Sequence, residues 1–273
     1  MKSNSDVLSK VPAVTLTFWV IKILCTTLGE TGGDSVTMTW LGETTAHPNP
    51  NGYLIGTAIF FGALVLFVIA QIAAKKFRPL LYWATIIAST TAGTTLADFA
   101  DRSLGIGYVG GSLLLFALVL ASLGVWYWSE RTVSVQTVNT PRVEAFYWVT
   151  ITFSQTLGTA LGDWVAAPPG DIPPGMGFGY EIGALIFGGG IAIVTLLYFA
   201  TRISHVLLFW AAFILTRPLG ATIGDLFDKP VAKGGLDISR PLASGILAAI
   251  ILACILILPQ RAGTHPNDSE RSG

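Results

Sequence analysis

Four aspartates recur at the same position of a repeated pattern, each at the end of a largely apolar segment. In every copy a Trp is followed by a Gly ten residues later and by an Asp fifteen residues later. The four sets are Trp19, Gly29 and Asp34; Trp83, Gly93 and Asp98; Trp148, Gly158 and Asp163; and Trp210, Gly220 and Asp225. A carboxylate within or at the edge of a membrane is costly unless it faces protein or water. We therefore expect the four Asp residues to share one environment and to act as ligands of a metal cation.

A stripe of polar side chains precedes each Asp on its helix. Residues four apart lie on the same helix face, and stepping back from each Asp by four and eight residues gives a mostly polar series. The series is Glu30 and Thr26, Thr94 and Thr90, Thr159 and Gln155, and Ala221 and Arg217. We expect Glu30, Thr94, Gln155 and Thr159 to complete the cation site. The plainer alternative is that the Gly and Thr residues only pack helices and that each Asp caps a loop.

Two cations fall inside apolar segments and need partners there. Lys22 lies eight residues before Glu30, and Arg217 lies eight residues before Asp225. They either balance the charge of the acids or compete with a transported cation as gating residues. The second and fourth copies carry a further acid with a basic neighbour, in the sequences Asp98-x-x-Asp101-Arg102 and Asp225-x-x-Asp228-Lys229. Asp101 and Asp228 are therefore also candidates for gating or charge balancing.

The chemistry of these groups favours a hard cation. Carboxylates, hydroxyls and an amide suit Mg²⁺, Mn²⁺ or Ca²⁺ better than Cu⁺ or Zn²⁺, for which thiolate and imidazole are typical. The same carboxylates can also carry protons. No nucleophile paired with a base and no phosphate-binding loop is evident, so we expect neither an enzyme nor a resident cofactor. The zero net charge argues against a nucleic-acid partner.

The elements that hold these residues are predicted to be membrane helices. The chain is 52% apolar and 12% charged, with a mean hydropathy of +0.65, and a spanning helix needs about 20 mostly apolar residues. Four apolar runs alternate with four polar-spotted ones: 53–74, 113–128, 182–200 and 242–258 with 11–33, 80–100, 143–165 and 206–226. This predicts an all-α, polytopic helix bundle of eight transmembrane helices. The polar-spotted helices should lie inside and the apolar ones outside, with the Trp residues as interfacial anchors.

The repeats set the predicted organisation. Two spans per unit make four parallel repeats, at about 11–74, 80–128, 145–201 and 205–258, with pseudo-twofold or pseudo-fourfold symmetry. They form a single membrane domain over residues 1–260, followed by a polar cytoplasmic tail, 261–273. Ten Lys and Arg residues lie on the side of the N-terminus and four on the opposite side, which places both termini in the cytoplasm. Most acids lie on the outer side, which predicts an acidic vestibule.

The pattern resembles a bacterial integral membrane protein family built from four tandem two-helix repeats of unknown function. The resemblance covers about residues 12–258 and is carried by the four Trp residues and the Gly and Asp residues that follow them. It implies this architecture and a location in the bacterial inner membrane. A link to metal handling is likewise an implication of the resemblance.

The leading functional hypothesis is a secondary transporter that exports a divalent metal such as Mn²⁺, with proton coupling left open. One alternative is a passive cation channel, although Lys22 and Arg217 would obstruct it. Another is a carrier of an organic cation, with aromatic side chains as a cage. The lipid bilayer, the metal cation and protons are the expected partners, and association of several copies is left open.

Overall fold

The computed structural model describes residues 8–44 and 49–264. Over these ranges the chain is all-α, with eight α-helices and no named strand. The helices are α1 (Leu16–Asp34), α2 (Gly52–Ala73), α3 (Pro79–Asp98), α4 (Gly107–Glu130), α5 (Pro141–Ala166), α6 (Gly179–Ala200), α7 (His205–Asp228) and α8 (Arg240–Ile257).

Local sequence explains where these helices begin. The side chains of Thr15 and Thr140 accept hydrogen bonds from the backbone N–H groups of Phe18 and Val143, as N-cap residues do. Proline occupies the first turns of α3, α5 and α8, where its missing N–H is not needed. The helices α1 and α3 both end at a repeated Asp and continue as π-helical turns, Ser35–Trp40 and Phe99–Ser103.

Five helices, α2, α4, α6, α7 and α8, are long and apolar enough to cross a membrane. The other three, α1, α3 and α5, carry more polar side chains, most of which are buried within the bundle. Many of the large apolar side chains of α2, α4, α6 and α8 are exposed on the surface of the protein. This distribution indicates a membrane protein, because an apolar surface of this size requires lipid as its solvent.

The helices form two concentric sets. Within the inner set each helix packs against two others, in the cycle α1, α3, α5, α7 and back to α1. Each outer helix packs on the inner helix that follows it in the chain, α2 on α3, α4 on α5 and α6 on α7, and α8 packs on α1. The polar-spotted helices therefore lie inside, as their stripes predict.

A layer of aromatic side chains fills the bundle near the beginning of the inner helices. The aromatic residue before each repeated Trp contacts the Trp of the next repeat, with ring centroids 5.6 to 6.5 Å apart. These contacts are Phe18 with Trp83, Tyr82 with Trp148, Tyr147 with Trp210 and Phe209 with Trp19. Trp83, Trp148 and Trp210 are at most 3% exposed. The interpretation as interfacial anchors is wrong for these three residues, because their rings pack in the interior of the bundle, whereas Trp19 is only partly buried.

The two ends of the described chain meet at this same end of the bundle. The backbone N–H of Ser9 donates to the carbonyl of Gly263 over 3.0 Å, and the N–H of Gly263 donates to the carbonyl of Val11 over 2.9 Å. Lys10 forms a 2.5 Å ion pair with Glu144 on α5. The first residues of the predicted polar tail are thus tied to the N-terminal segment. Residues 265–273 lie outside the described ranges, and the extent of the membrane domain stays a prediction.

Candidate cation site

The four repeated Asp residues meet at the far end of the inner helices, in two bridged pairs. Arg102 lies 3.0 Å from Asp98 and 2.9 Å from Asp163. Lys229 takes the corresponding place in the other pair, 2.5 Å from Asp34 and 2.9 Å from Asp225. All four Asp residues are buried. The four Asp residues therefore lie close together, as predicted. A basic side chain, Arg102 or Lys229, lies between the two carboxylates of each pair.

Lys229 is the centre of the larger of the two networks. Beyond Asp34 and Asp225 it lies 3.7 Å from Asp228, and Arg240 lies 3.7 Å from the other oxygen of Asp228. Burial opposes the charge of the ammonium, but three carboxylates outweigh that effect and raise the pKa of Lys229 well above its usual value. The ammonium therefore stays charged and acts as a tethered cation. Asp228 thus lies between Lys229 and Arg240 in this network, and its role in gating or charge balancing stays a prediction.

Asp101 occupies a different place from its counterpart Asp228. Its carboxylate lies against Gly111 on α4, where an added Cβ would overlap it. Burial and the nearby Asp163 raise the pKa of Asp101 to about 7, although Arg102 opposes the shift. Arg102 balances the negative charges of Asp98 and Asp163. Asp101 takes no part in that pairing. The spacing of four residues from Asp98 to Arg102, and from Asp225 to Lys229, is the signal that could have identified both bases.

Arg217 is fully buried and joins all four inner helices. Its Nη2 group donates to Oε2 of Glu30 over 2.9 Å and to the hydroxyls of Thr94 and Thr159 over 2.5 Å each. Gly158 makes room for it, since a Cβ there would overlap the Arg217 side chain. Glu30, Thr94 and Thr159 are thus brought together as predicted, around a guanidinium.

Lys22 and Arg217 have partners on other helices and do not contact the acids eight residues further along their own helices. Eight residues of one helix span about 12 Å, which separates Arg217 from Asp225 and Lys22 from Glu30 too far for direct contact. Arg217 instead pairs with Glu30 of the adjacent helix α1. Lys22 lies 3.5 Å from Oε1 of Gln155, so Gln155 faces a lysine and not the carboxylates.

Three carboxylates form a group with the geometry of a metal site. Glu30, Asp34 and Asp225 each offer an oxygen, and these oxygens lie within 4.8 Å of one another. All three residues are at most 2% exposed. One oxygen of Asp34, Oδ1, is buried and has no hydrogen-bond partner among the described residues. Oxygen ligands at such separations suit a hard cation. Asp98 and Asp163 remain with Arg102, outside this group.

An open cavity of about 620 Å³ leads from the surface to the two bridged pairs. Its walls include Asp163 and Asp225, and the four bases that the sequence assigns to the outer side also line it: Arg102, Lys229, Lys233 and Arg240. This cavity, predicted to be an acidic vestibule, is therefore lined by both acidic and basic side chains. The Arg102 side chain is 27% exposed while its partners Asp98 and Asp163 are at most 5% exposed, so Arg102 is more open to the cavity than the two carboxylates with which it pairs.

Comparison with known proteins places the chain in a family without assigning a function. No curated protein and no solved structure matches it. The Repeat of Unknown Function (DUF347) matches it four times in tandem, at residues 17–77, 81–132, 146–204 and 208–261. Each match contains one inner helix and the outer helix that follows it, and together they cover most of the chain. The chain therefore belongs to the family of proteins built from this repeat.

Proposed function

We propose that this protein is a secondary transporter of a hard divalent cation such as Mn²⁺, which it exports across the inner membrane of a bacterium. The observation that carries the proposal is the group of three buried carboxylates, Glu30, Asp34 and Asp225, whose oxygens lie within 4.8 Å of one another. A buried carboxylate is costly unless paired. These three are paired with Arg217 and Lys229, and a substrate cation could take the place of those two side chains.

The proposed architecture has all eight helices crossing the membrane as four parallel repeats with pseudo-fourfold symmetry. The cyclic packing of the inner helices and the placement of each outer helix on the next inner one support it. Both termini would lie in the cytoplasm, which agrees with the excess of Lys and Arg on their side of the membrane. The cavity of about 620 Å³ then opens to the outside.

The charges of the inner bundle support a cationic substrate. Seven carboxylates of the described inner region lie among five cations, so the region holds an excess of negative charge that a bound cation would offset. The carboxylates are Glu30, Asp34, Asp98, Asp101, Asp163, Asp225 and Asp228, and the cations are Lys22, Arg102, Arg217, Lys229 and Arg240.

Exchange between tethered and free cations is the mechanism that we propose. When the substrate binds Glu30, Asp34 and Asp225, it takes the place of the Lys229 ammonium and the Arg217 guanidinium. When it leaves, the two side chains return to the carboxylates. Because each carboxylate has a cation beside it throughout, the buried acids do not face the cost of standing alone in a region of low dielectric. Arg102 would act in the same way on Asp98 and Asp163.

A gated carrier explains the closed axis better than a passive channel does. Arg217 fills the centre by contacting three neighbouring helices, and the aromatic layer closes the opposite end. A carrier of an organic cation needs an aromatic cage with space inside. The aromatic rings of this layer instead contact one another at 5.6 to 6.5 Å between centroids, so this layer does not form such a cage.

Purified protein in liposomes tests the proposal. Wild-type protein should move Mn²⁺ and should exchange labelled for unlabelled Mn²⁺ against a concentration gradient, which a channel cannot do. Asp225→Asn should abolish this exchange while the protein stays folded in detergent. Asp237→Asn, at an exposed position of the outer loop, is the matched control and should retain it. Wild-type rates in Asp225→Asn and Asp98→Asn would contradict the proposal.

A further inference from the structure

Lys22 is a charged residue in an otherwise apolar layer of the inner bundle. The residue three positions after each repeated Trp is Lys22, Ile86, Ile151 or Phe213, and all four are fully buried. This layer lies between the aromatic layer and the level of Arg217. Three repeats thus place an apolar side chain where the first repeat places an amine.

The surroundings of the Lys22 amine contain no carboxylate within ion-pair distance among the described residues. Its Nζ lies 3.5 Å from the neutral amide oxygen of Gln155 on α5 and 4.2 Å from the centre of the Phe213 ring on α7. The titratable or charged groups near it are the Cys25 thiol on its own helix and Arg217 on α7. On α3 the residue of the same layer is Ile86.

The other buried cations of the described chain differ from Lys22 in this respect. Lys10, Arg217 and Lys229 each have a carboxylate partner within 3.0 Å, and so does the partly exposed Arg102. An unpaired ammonium in an apolar interior is costly, whereas a buried lysine can exist as a neutral amine and exchange its proton. A fixed structural charge would be better served by arginine, which stays charged.

We propose that Lys22 carries the proton that is exchanged for the metal cation. The inference rests on the proposed transport function and identifies its coupling ion. Cation binding at Glu30 frees Arg217, whose positive charge then repels the ammonium of Lys22. The N–H bond breaks, the electron pair stays on Nζ, and the proton passes to water on the cytoplasmic side. When the cation leaves, Arg217 returns to Glu30 and Nζ takes up a proton from water of the outer cavity.

Liposomes with a pH-sensitive dye inside separate coupling from transport. In wild-type protein a Mn²⁺ gradient should drive protons in the opposite direction. In Lys22→Met this proton movement should fall to the level of protein-free liposomes, while exchange of labelled for unlabelled Mn²⁺ continues. Lys22→Arg, which cannot release its proton, should behave in the same way. Lys75→Met, at an exposed position after α2, should match wild type in both measurements.

The outcomes distinguish this inference from the transport function. Proton movement at the wild-type level in Lys22→Met would overturn the role of Lys22, and so would loss of Mn²⁺ exchange in both Lys22 variants, which indicates a structural role. Mn²⁺ transport by wild-type protein without proton movement overturns the coupling alone. A wild-type protein that moves no Mn²⁺ overturns the proposed function and the role of Lys22 together.

Discussion

The two ends of the inner bundle are built on the same four helices and held together in different ways. At the end that holds the four repeated Asp residues, called the outer end below, ion pairs such as Arg102 with Asp163 and Lys229 with Asp34 connect different helices beside an open cavity. At the opposite end, called the inner end below, the inner helices begin and the aromatic layer lies. There buried rings contact one another around the bundle, and the hydroxyls of Tyr82 and Tyr147 lie 2.6 Å apart. The register of the repeat is the same, so the difference arises from side-chain chemistry alone.

This difference separates two tasks. An ion pair can exchange one cation for another with its carboxylates still satisfied, whereas a packed aromatic layer opens only if many contacts are lost at once. The outer end can therefore respond to a ligand in a single pair, whereas opening of the inner end, which export from the cytoplasm would require, needs a rearrangement of the whole aromatic layer. The following substitutions test that comparison.

The largest effect is expected from Glu30→Ala. It leaves the fully buried Arg217 without its carboxylate, and removal of one partner from a buried ion pair costs about 3–5 kcal/mol. Thermal unfolding in detergent measures the loss as a clear fall in Tm. Glu181→Ala, at an exposed position of α6, is the control and should change Tm little. An unchanged Tm in Glu30→Ala would show that the outer end does not depend on this pair.

Lys229→Met should make stability depend on a divalent cation. Three carboxylates lose their tethered cation, so added Mn²⁺ no longer competes with an ammonium. A ligand at about 100 times its Kd stabilises by about 2.7 kcal/mol, and the Mn²⁺-induced rise in Tm should be larger in the variant than in wild type. Lys233→Met, whose side chain is half-exposed, should respond as wild type does. An equal response in both variants would speak against a cation site at Lys229.

Gly158→Ala tests how tightly Arg217 is fitted between α5 and α7. The added methyl group would overlap the Arg217 side chain, and overpacking of this kind costs about 1–3 kcal/mol. Gly62→Ala on α2 is the matched control, because a Cβ there meets no atom within 4 Å. Unfolding in detergent should separate the two variants. A loss of stability in Gly62→Ala equal to that in Gly158→Ala would point to a general effect of the substitution.

The smallest effect is expected at the inner end, from Tyr82→Phe. The variant loses the 2.6 Å contact with the Tyr147 hydroxyl but keeps the ring contacts, and one such hydrogen bond contributes about 0.5–1.5 kcal/mol. Tm should fall slightly, and the response of Tm to Mn²⁺ should stay as in wild type. Tyr127→Phe, at an exposed position of α4, controls for the loss of a hydroxyl. A changed Mn²⁺ response in Tyr82→Phe would show that the two ends are not separate.

The sequence predicts the arrangement of helices better than it predicts the partners of the charged side chains. Repeat spacing and helical periodicity correctly place the four Asp residues together and the polar-spotted helices inside. Arg217 reaches Glu30 where α7 approaches α1 closely, with Gly220 against Thr26 and Gly224 against Glu30. Such contacts between helices leave no trace in the spacing along one helix. The Trp residues near the helix starts fit either a membrane interface or the interior, and only the packing of neighbouring rings decides between them.

The placement of each outer helix on the following repeat has a consequence for biogenesis. In no repeat does the outer helix pack mainly on the inner helix of the same repeat, and the outer helix that packs on α1 is α8, the last helix of the described residues. The polar face of α1, with Lys22 and Glu30, is therefore fully packed only after α7 and α8 have been synthesised. A nascent chain that stops after three repeats has an inner helix without its partner. We expect assembly of the inner bundle to be all-or-none.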